Sequence, residues 1–239
     1  MSGSFYRELP GAAEPRPMPL PPSVLCVQMH AQNQAFVRAA LPACRVSIIE
    51  NASGALRSIN KSSYDAYVLD YWMPDWTGVG LCREIRKSDP YVPIVFYSSA
   101  ANHHKARALR AGAHAYIAAP APPEAVTGSL GQLLARAEVQ NVRARFAAEK
   151  VVADEIERHV TAFSSSGRSP QEAAGTIHRA TKPKAAQVFL EAGGTRAAFE
   201  RFWEDEFALA CSRQGIAAPS TATHVYPASA RTEQPETAR

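Results

Sequence analysis

A small set of polar residues stands at the ends of apolar runs in this chain. Asp70 closes YDAYVLD (64–70), and Ser98 and Ser99 close PIVFYSS (93–99). Gln28 and Met29 lie at the end of SVLCVQ (23–28), and Ala119 follows AHAYIA (113–118). One carboxylate and a pair of hydroxyls are chemically useful only if the chain brings them together. The runs say that it does. They are short, largely apolar and rich in Val, Ile and Tyr, as strands buried on both faces are. A fifth run, RVSII (45–49), has the same character. Helical stretches of about 10–12 residues separate them, with Asn51 and Thr77 as N-caps and Gly112 as a C-terminal stop. Five β-α repeats with short joins predict an α/β domain built on a parallel sheet, with right-handed crossovers and helices on both faces. Such sheets carry their sites at the carboxyl ends of the strands, where the residues named above would meet.

Other constellations carry less. His178 and Pro183 are five residues apart on a helical stretch, followed by no nucleotide-binding glycine motif. The bland reading is a surface histidine beside a helix break. His103 and His104 begin a helix but point in different directions, which disfavours a shared metal. There is no P-loop, nucleophile elbow or HExxH sequence, so no enzyme is expected. Cys26, Cys44, Cys82 and Cys211 share no metal-type spacing and read as small apolar residues.

The chain has 239 residues, 46% of them apolar, with 26 Lys and Arg against 22 Asp and Glu and 18 Pro. That suits one full domain and a smaller partner. No apolar run reaches the roughly 18 residues of a membrane span, and the N-terminus lacks a secretory pattern. A cytoplasmic protein is expected. Residues 1–22, with six prolines, read as a disordered leader. Residues 23–123 form the α/β domain, 124–163 a connecting helix, 164–215 a small helical output or dimerisation module, and 216–239 a disordered tail. In the connecting helix Val142, Phe146, Ala153, Ile156, Val160 and Phe163 are read as one face. Ser169 opens the next helix, which Pro183 interrupts or restarts. Thr195 caps a last helix whose Phe199, Phe202, Trp203 and Phe207 form an aromatic face. About 45 residues cannot bury that face alone; it packs on the connecting helix as plain core, or a second copy or partner covers it and it is an interaction face.

Residues 23–123 resemble a receiver domain of a two-component response regulator. The resemblance rests on VLDYWMPDWTGVGLCREIR (68–86), with an Asp closing the third strand and an M-P-x-x-x-G turn behind it, and on PIVFYSS and GAHAYIAAP. It implies a flavodoxin-like doubly wound sheet of order 2-1-3-4-5. It also implies Asp70 as phosphoacceptor, Ser98 and Tyr116 as switch residues, and a metal held by Asp70 and the backbone carbonyl of Trp72. Partners would be a histidine kinase or phosphotransfer protein. The family supplies two acidic residues where this chain has Gln28 and Met29, and a lysine where it has Ala119. Mg²⁺ wants hard oxygen ligands; an amide offers one neutral oxygen and a thioether is soft. A degenerate pocket is therefore expected, with no cofactor unless a conventional receiver's Mg²⁺ binds. The function expected is docking without a phosphoryl switch; the alternative is a conventional receiver controlling a helical output, which a DNA-binding regulator would use.

Charge narrows this further. Between residues 22 and 123 there are ten Lys and Arg against six acids, while 124–239 hold fourteen of each. The net charge of +4 thus lies in the α/β domain. Glu200, Glu204, Asp205 and Glu206 on the last helix would repel phosphate, so nucleic acid is not expected as a partner. A homodimer through 124–163 and 195–210 is.

Overall fold

The computed structural model describes residues 20–100, 102–167 and 169–218. The chain divides into two compact units, Met1–Glu138 and Val139–Arg239. Most of the leader and of the tail expected from composition lies outside the described residues.

The first unit alternates strands and helices: β1 (Ser23–Val27), α1 (Ala31–Ala40), β2 (Arg45–Ile49), α2 (Ala52–Lys61), β3 (Ala66–Leu69), α3 (Gly78–Ser88), β4 (Ile94–Ser98), a 3₁₀ turn at Asn102–His104, α4 (Lys105–Arg110) and β5 (Ala115–Ala118). All pairings are parallel, in the order β2-β1-β3-β4-β5. This is the α/β fold and strand order expected. The three inner strands β1, β3 and β4 are buried almost throughout, whereas the edge strand β2 is half exposed. An edge strand has a neighbour on one side only, so the uniform burial expected of all five runs holds for the inner three.

Local chemistry fixes the helix ends. Asn51 Oδ1 accepts from the Gly54 N–H at 2.7 Å and Thr77 Oγ1 from the Gly80 N–H at 3.2 Å, as N-caps do. Gly112, at φ 104°, ends α4 in a conformation that costs glycine little. One core lies on each face of the sheet. Leu25, Leu69, Ile94 and Phe96 meet α2 and α3 on one side. Val24, Cys26, Val68 and Val95 meet Val37 of α1 and Val126 and Leu130 on the other. Burial pushes the Cys26 thiol up to about 12 and the Cys82 thiol to about 11. Both therefore stay neutral and pack as apolar groups.

Three helices follow: α5 (Pro123–Ser165), α6 (Pro170–Glu191) and α7 (Arg196–Arg213). Among the described residues no helix is long and apolar enough to cross a membrane. The second unit's core joins Ala144, Ala148, Val152 and Ile156 of α5 to Ile177, Ala185 and Phe189 of α6 and to the aromatic residues of α7.

Several sequence expectations need correction here. Phe199, Phe202, Trp203 and Phe207 are not an interaction face, because α5 and α6 cover them and none exceeds 8% exposure. The expected face of α5 also divides. Ile156 is buried, but Val142 and Phe146 are exposed. A heptad-spaced set drifts by about 20° per heptad on a straight helix, so one flat contact surface cannot take it all. Pro183 sits inside an unbroken α6. Its missing N–H removes one helical bond, but Ile177, Ala185 and Phe189 anchor both sides in the core. His178 is half-buried rather than a free surface residue, and its Nε2 accepts from Trp203 Nε1–H at 2.8 Å. Ile216, assigned to the tail by composition, is buried against the same core.

Phe189 is 1% exposed and its ring meets those of Phe199 and Phe202 at 5.5 and 5.6 Å. Phe189→Ala is expected to destabilise the C-terminal unit by about 3–5 kcal/mol. Urea unfolding followed by circular dichroism would register this as an earlier transition for the α-helical unit.

Candidate functional site

The carboxyl ends of β1, β3 and β4 bring Gln28, Asp70 and Ser98 together, as the strand pattern required. All three are buried, at 0%, 4% and 1% exposure. The Asp70 N–H donates to the Val27 carbonyl at 2.9 Å, which continues the sheet ladder past the end of β3. Asp70 Oδ1 then accepts from the Ser98 hydroxyl at 2.5 Å and from the Tyr71 N–H at 2.7 Å. The turn behind it is close-packed. A Cβ on Gly78 would lie 2.0 Å from the Asp70 carbonyl oxygen, so only glycine fits where the M-P-x-x-x-G pattern places one.

From Asp70 a chain of hydrogen bonds leads to Tyr116. Ser98 Oγ accepts from the Ala100 N–H at 3.2 Å, and the Tyr116 hydroxyl donates to the Ala100 carbonyl at 2.8 Å. Tyr116 is 8% exposed and its ring stacks on Phe96. Burial raises its hydroxyl pKa, so it remains a donor. The structure thus links the carboxylate, the hydroxyl and the aromatic residue named from sequence.

The remaining pocket positions are arranged differently. Gln28 Nε2 donates to the Tyr97 carbonyl at 2.6 Å, and Gln28 Oε1 accepts from Asn33 Nδ2 at 3.3 Å. Its backbone carbonyl accepts from Gln34 Nε2 at 2.8 Å. The amide therefore bridges β1 and β4, two strands with β3 between them. Met29 is 40% exposed. Ala119 donates its N–H to the Ser98 carbonyl at 2.9 Å and offers only a methyl group. Trp72, two residues after Asp70, is 53% exposed and its ring meets Tyr71 edge-on.

A receiver's Mg²⁺ does not fit these residues. An octahedral hard cation wants several anionic or carbonyl oxygens, and Asp70 is the one carboxylate in the cluster. The Gln28 oxygen is committed to Asn33, and turning it inward would leave the buried Tyr97 carbonyl without its donor. Among the described residues no three His, Cys, Asp or Glu side chains are placed to hold a metal. His103 and His104 have ring centroids 3.9 Å apart, and His104 packs against Tyr71 at 4.2 Å. Desolvation lowers the His104 pKa, with His103 and Arg107 adding to it.

Asp75 was not visible from sequence. It stands exposed in the loop behind Asp70, and its two oxygens accept from the N–H groups of Ala52 and Ser53 at 2.9 and 2.8 Å. These are the first two residues of α2, where unpaired amides and the helix dipole favour an anion. Hydrogen bonds from Ser53 chiefly hold the Asp75 carboxyl down at about 2. No sequence signal ties a loop acid to a helix start 23 residues earlier.

Part of the chain is similar to known proteins. Residues 24–130 match the response regulator receiver domain family, and this part of the chain is a receiver domain. The chain is 29% identical over 92 residues to the transcriptional regulatory protein CreB of Escherichia coli, covering 38% of this chain and 40% of that one. It is 27% identical over 120 residues to the two-component response regulator ORR11 of Oryza sativa, covering 48% and 82%. A CheY-like response regulator receiver domain protein from Methanospirillum hungatei superposes with a TM-score of 0.46 at 22% identity, over 48% of this chain and 94% of that one. The chain spans 40% of CreB and 31% of the regulatory protein LuxO of Vibrio cholerae, less than half of either.

The Asp75 latch has a pH signature. Its folded-state pKa lies below the ordinary 3.8, so its contribution is complete above about pH 4 and fades as pH falls toward 2. Asp75→Ala should lower stability by about 1 kcal/mol or less at pH 7. Denaturant unfolding of both proteins across the acid range is expected to show that difference vanish near pH 2.

Proposed function

We propose that this receiver domain is a pseudo-receiver, which docks onto partner proteins of two-component signalling without a phosphoryl switch. The partner class is a histidine kinase or a phosphotransfer protein, met in the cytoplasm, and the helices after residue 124 carry the output. One observation above all supports this reading: the Gln28 amide is already spent on Tyr97 and Asn33. Moving a phosphoryl group onto Asp70 would bring negative charges together, and such reactions run on charge neutralisation and positioning. Here Gln28, Met29 and Ala119 supply neither an anionic metal ligand nor a cation. The Asp70–Ser98–Ala100–Tyr116 chain then holds one arrangement, with the Tyr116 ring inside. A domain held in one state presents one fixed surface, which suits docking.

The intact Asp70–Ser98 pair favours a second reading. In it Asp70 accepts a phosphoryl group and the domain controls its helical output conventionally. The transcriptional regulators among the relatives would make that output a DNA-binding one. The ion pairs of Lys182 with Glu200 and Lys184 with Glu155 speak against it, since they already occupy basic side chains of α6.

The two readings separate on Asp70. Docking without a switch predicts that Asp70→Asn binds the cognate kinase or phosphotransfer protein within about twofold of wild type, an energetic difference below about 0.5 kcal/mol. It also predicts that a small-molecule phosphodonor with Mg²⁺ leaves the wild type unlabelled. Acid-labile labelling that Asp70→Asn abolishes would establish the conventional reading instead.

A further inference from the structure

Helix α5 carries two apolar faces, and the second unit covers one. Asn141, Ala144, Ala148, Val152 and Ile156 are buried. Val139, Val142 and Phe146 are 55%, 47% and 68% exposed. At 3.6 residues per turn the centres of the two sets lie about 130° apart around the helix. Leaving a phenylalanine and two valines in water in one row is unfavourable, and a helix with such a second stripe has a second partner to find.

The spacing and the flanking charges identify that partner. The three residues follow one another at steps of three and four, with Val139 and Phe146 at heptad position a and Val142 at d. Ala135 and Ala153, both exposed, continue the same phase. We propose that α5 pairs in parallel with α5 of a second copy of this chain, through Val139, Val142 and Phe146. In a parallel pair each g residue faces the e residue five positions later on the other helix. Glu138 at g then faces Arg143 of the partner subunit at e, and the symmetric contact repeats it. Neither residue makes an ion pair among the described residues. An antiparallel pair would instead set Arg143 against Arg143 of the partner subunit. The next g–e pair, Arg145 with Lys150 of the partner subunit, is alike in charge, but Arg145 is held by Glu149 of its own helix at 3.0 Å. The seam is short and interrupted by Glu149 at a d position, so the association is reversible. This inference stands apart from the state of Asp70, and it replaces the aromatic face of α7 as a dimer contact.

Light scattering and sedimentation of the full chain over a range of concentrations test it. The wild type is expected to rise from one chain mass toward two. Phe146→Glu should weaken the association at least about tenfold, with an unchanged circular dichroism spectrum because the side chain is exposed. Glu138→Arg and Arg143→Glu should each weaken it, and the double swap should recover it. A wild type of one chain mass at every concentration overturns the proposal. So does a dimer indifferent to Phe146→Glu, or a double swap no better than its single variants.

Discussion

The carboxamide of Gln28 is the contact on which the site depends. It leaves the end of β1, passes β3 and donates to the Tyr97 carbonyl on β4. A fully buried amide must satisfy both its ends, and Asn33 completes the set. That arrangement holds the two strands flanking Asp70 in register at their carboxyl ends. It also spends the one group that could have replaced a metal-binding carboxylate. A structural tie and an octahedral metal site cannot share those atoms.

The rest of the domain follows from a parallel sheet whose inner strands are apolar on both faces. Such a sheet leaves its polar groups at the carboxyl edge. There Asp70, Ser98 and Tyr116 form a continuous hydrogen-bonded line, and Asp75 ties the loop behind Asp70 to the start of α2. The loop is thus fixed at Gly78 by close packing and at Asp75 by a helix end. Two independent restraints on one short loop favour a rigid surface around Asp70, the property that the proposed docking needs.

The strand ends and the Asp70–Ser98 meeting were legible in sequence because burial on both faces produces continuous apolar runs with sharp polar ends. The partner of Gln28 was not, because an amide's hydrogen bonds depend on which strands become neighbours at its level. The latch at Asp75 was hidden for a similar reason: helix capping across 23 residues leaves no local pattern. Around α5 the periodicity was visible but its meaning was not. Val142, Phe146 and Ile156 share a heptad phase, yet the core takes Ile156 and leaves the other two in water. Local propensity also misjudged Pro183, where packing on both sides of the break outweighs one lost helical bond.

The most direct test of the central claim is a titration of the wild-type chain with Mg²⁺ and beryllofluoride. It would be followed by tryptophan fluorescence, since Trp72 lies two residues from Asp70 and is exposed to solvent. A pocket whose Gln28 amide is committed to Tyr97 predicts no saturable response at millimolar metal. A saturable change that Asp70→Asn removes would contradict it, and would restore Asp70 as the acceptor of a working phosphoryl switch.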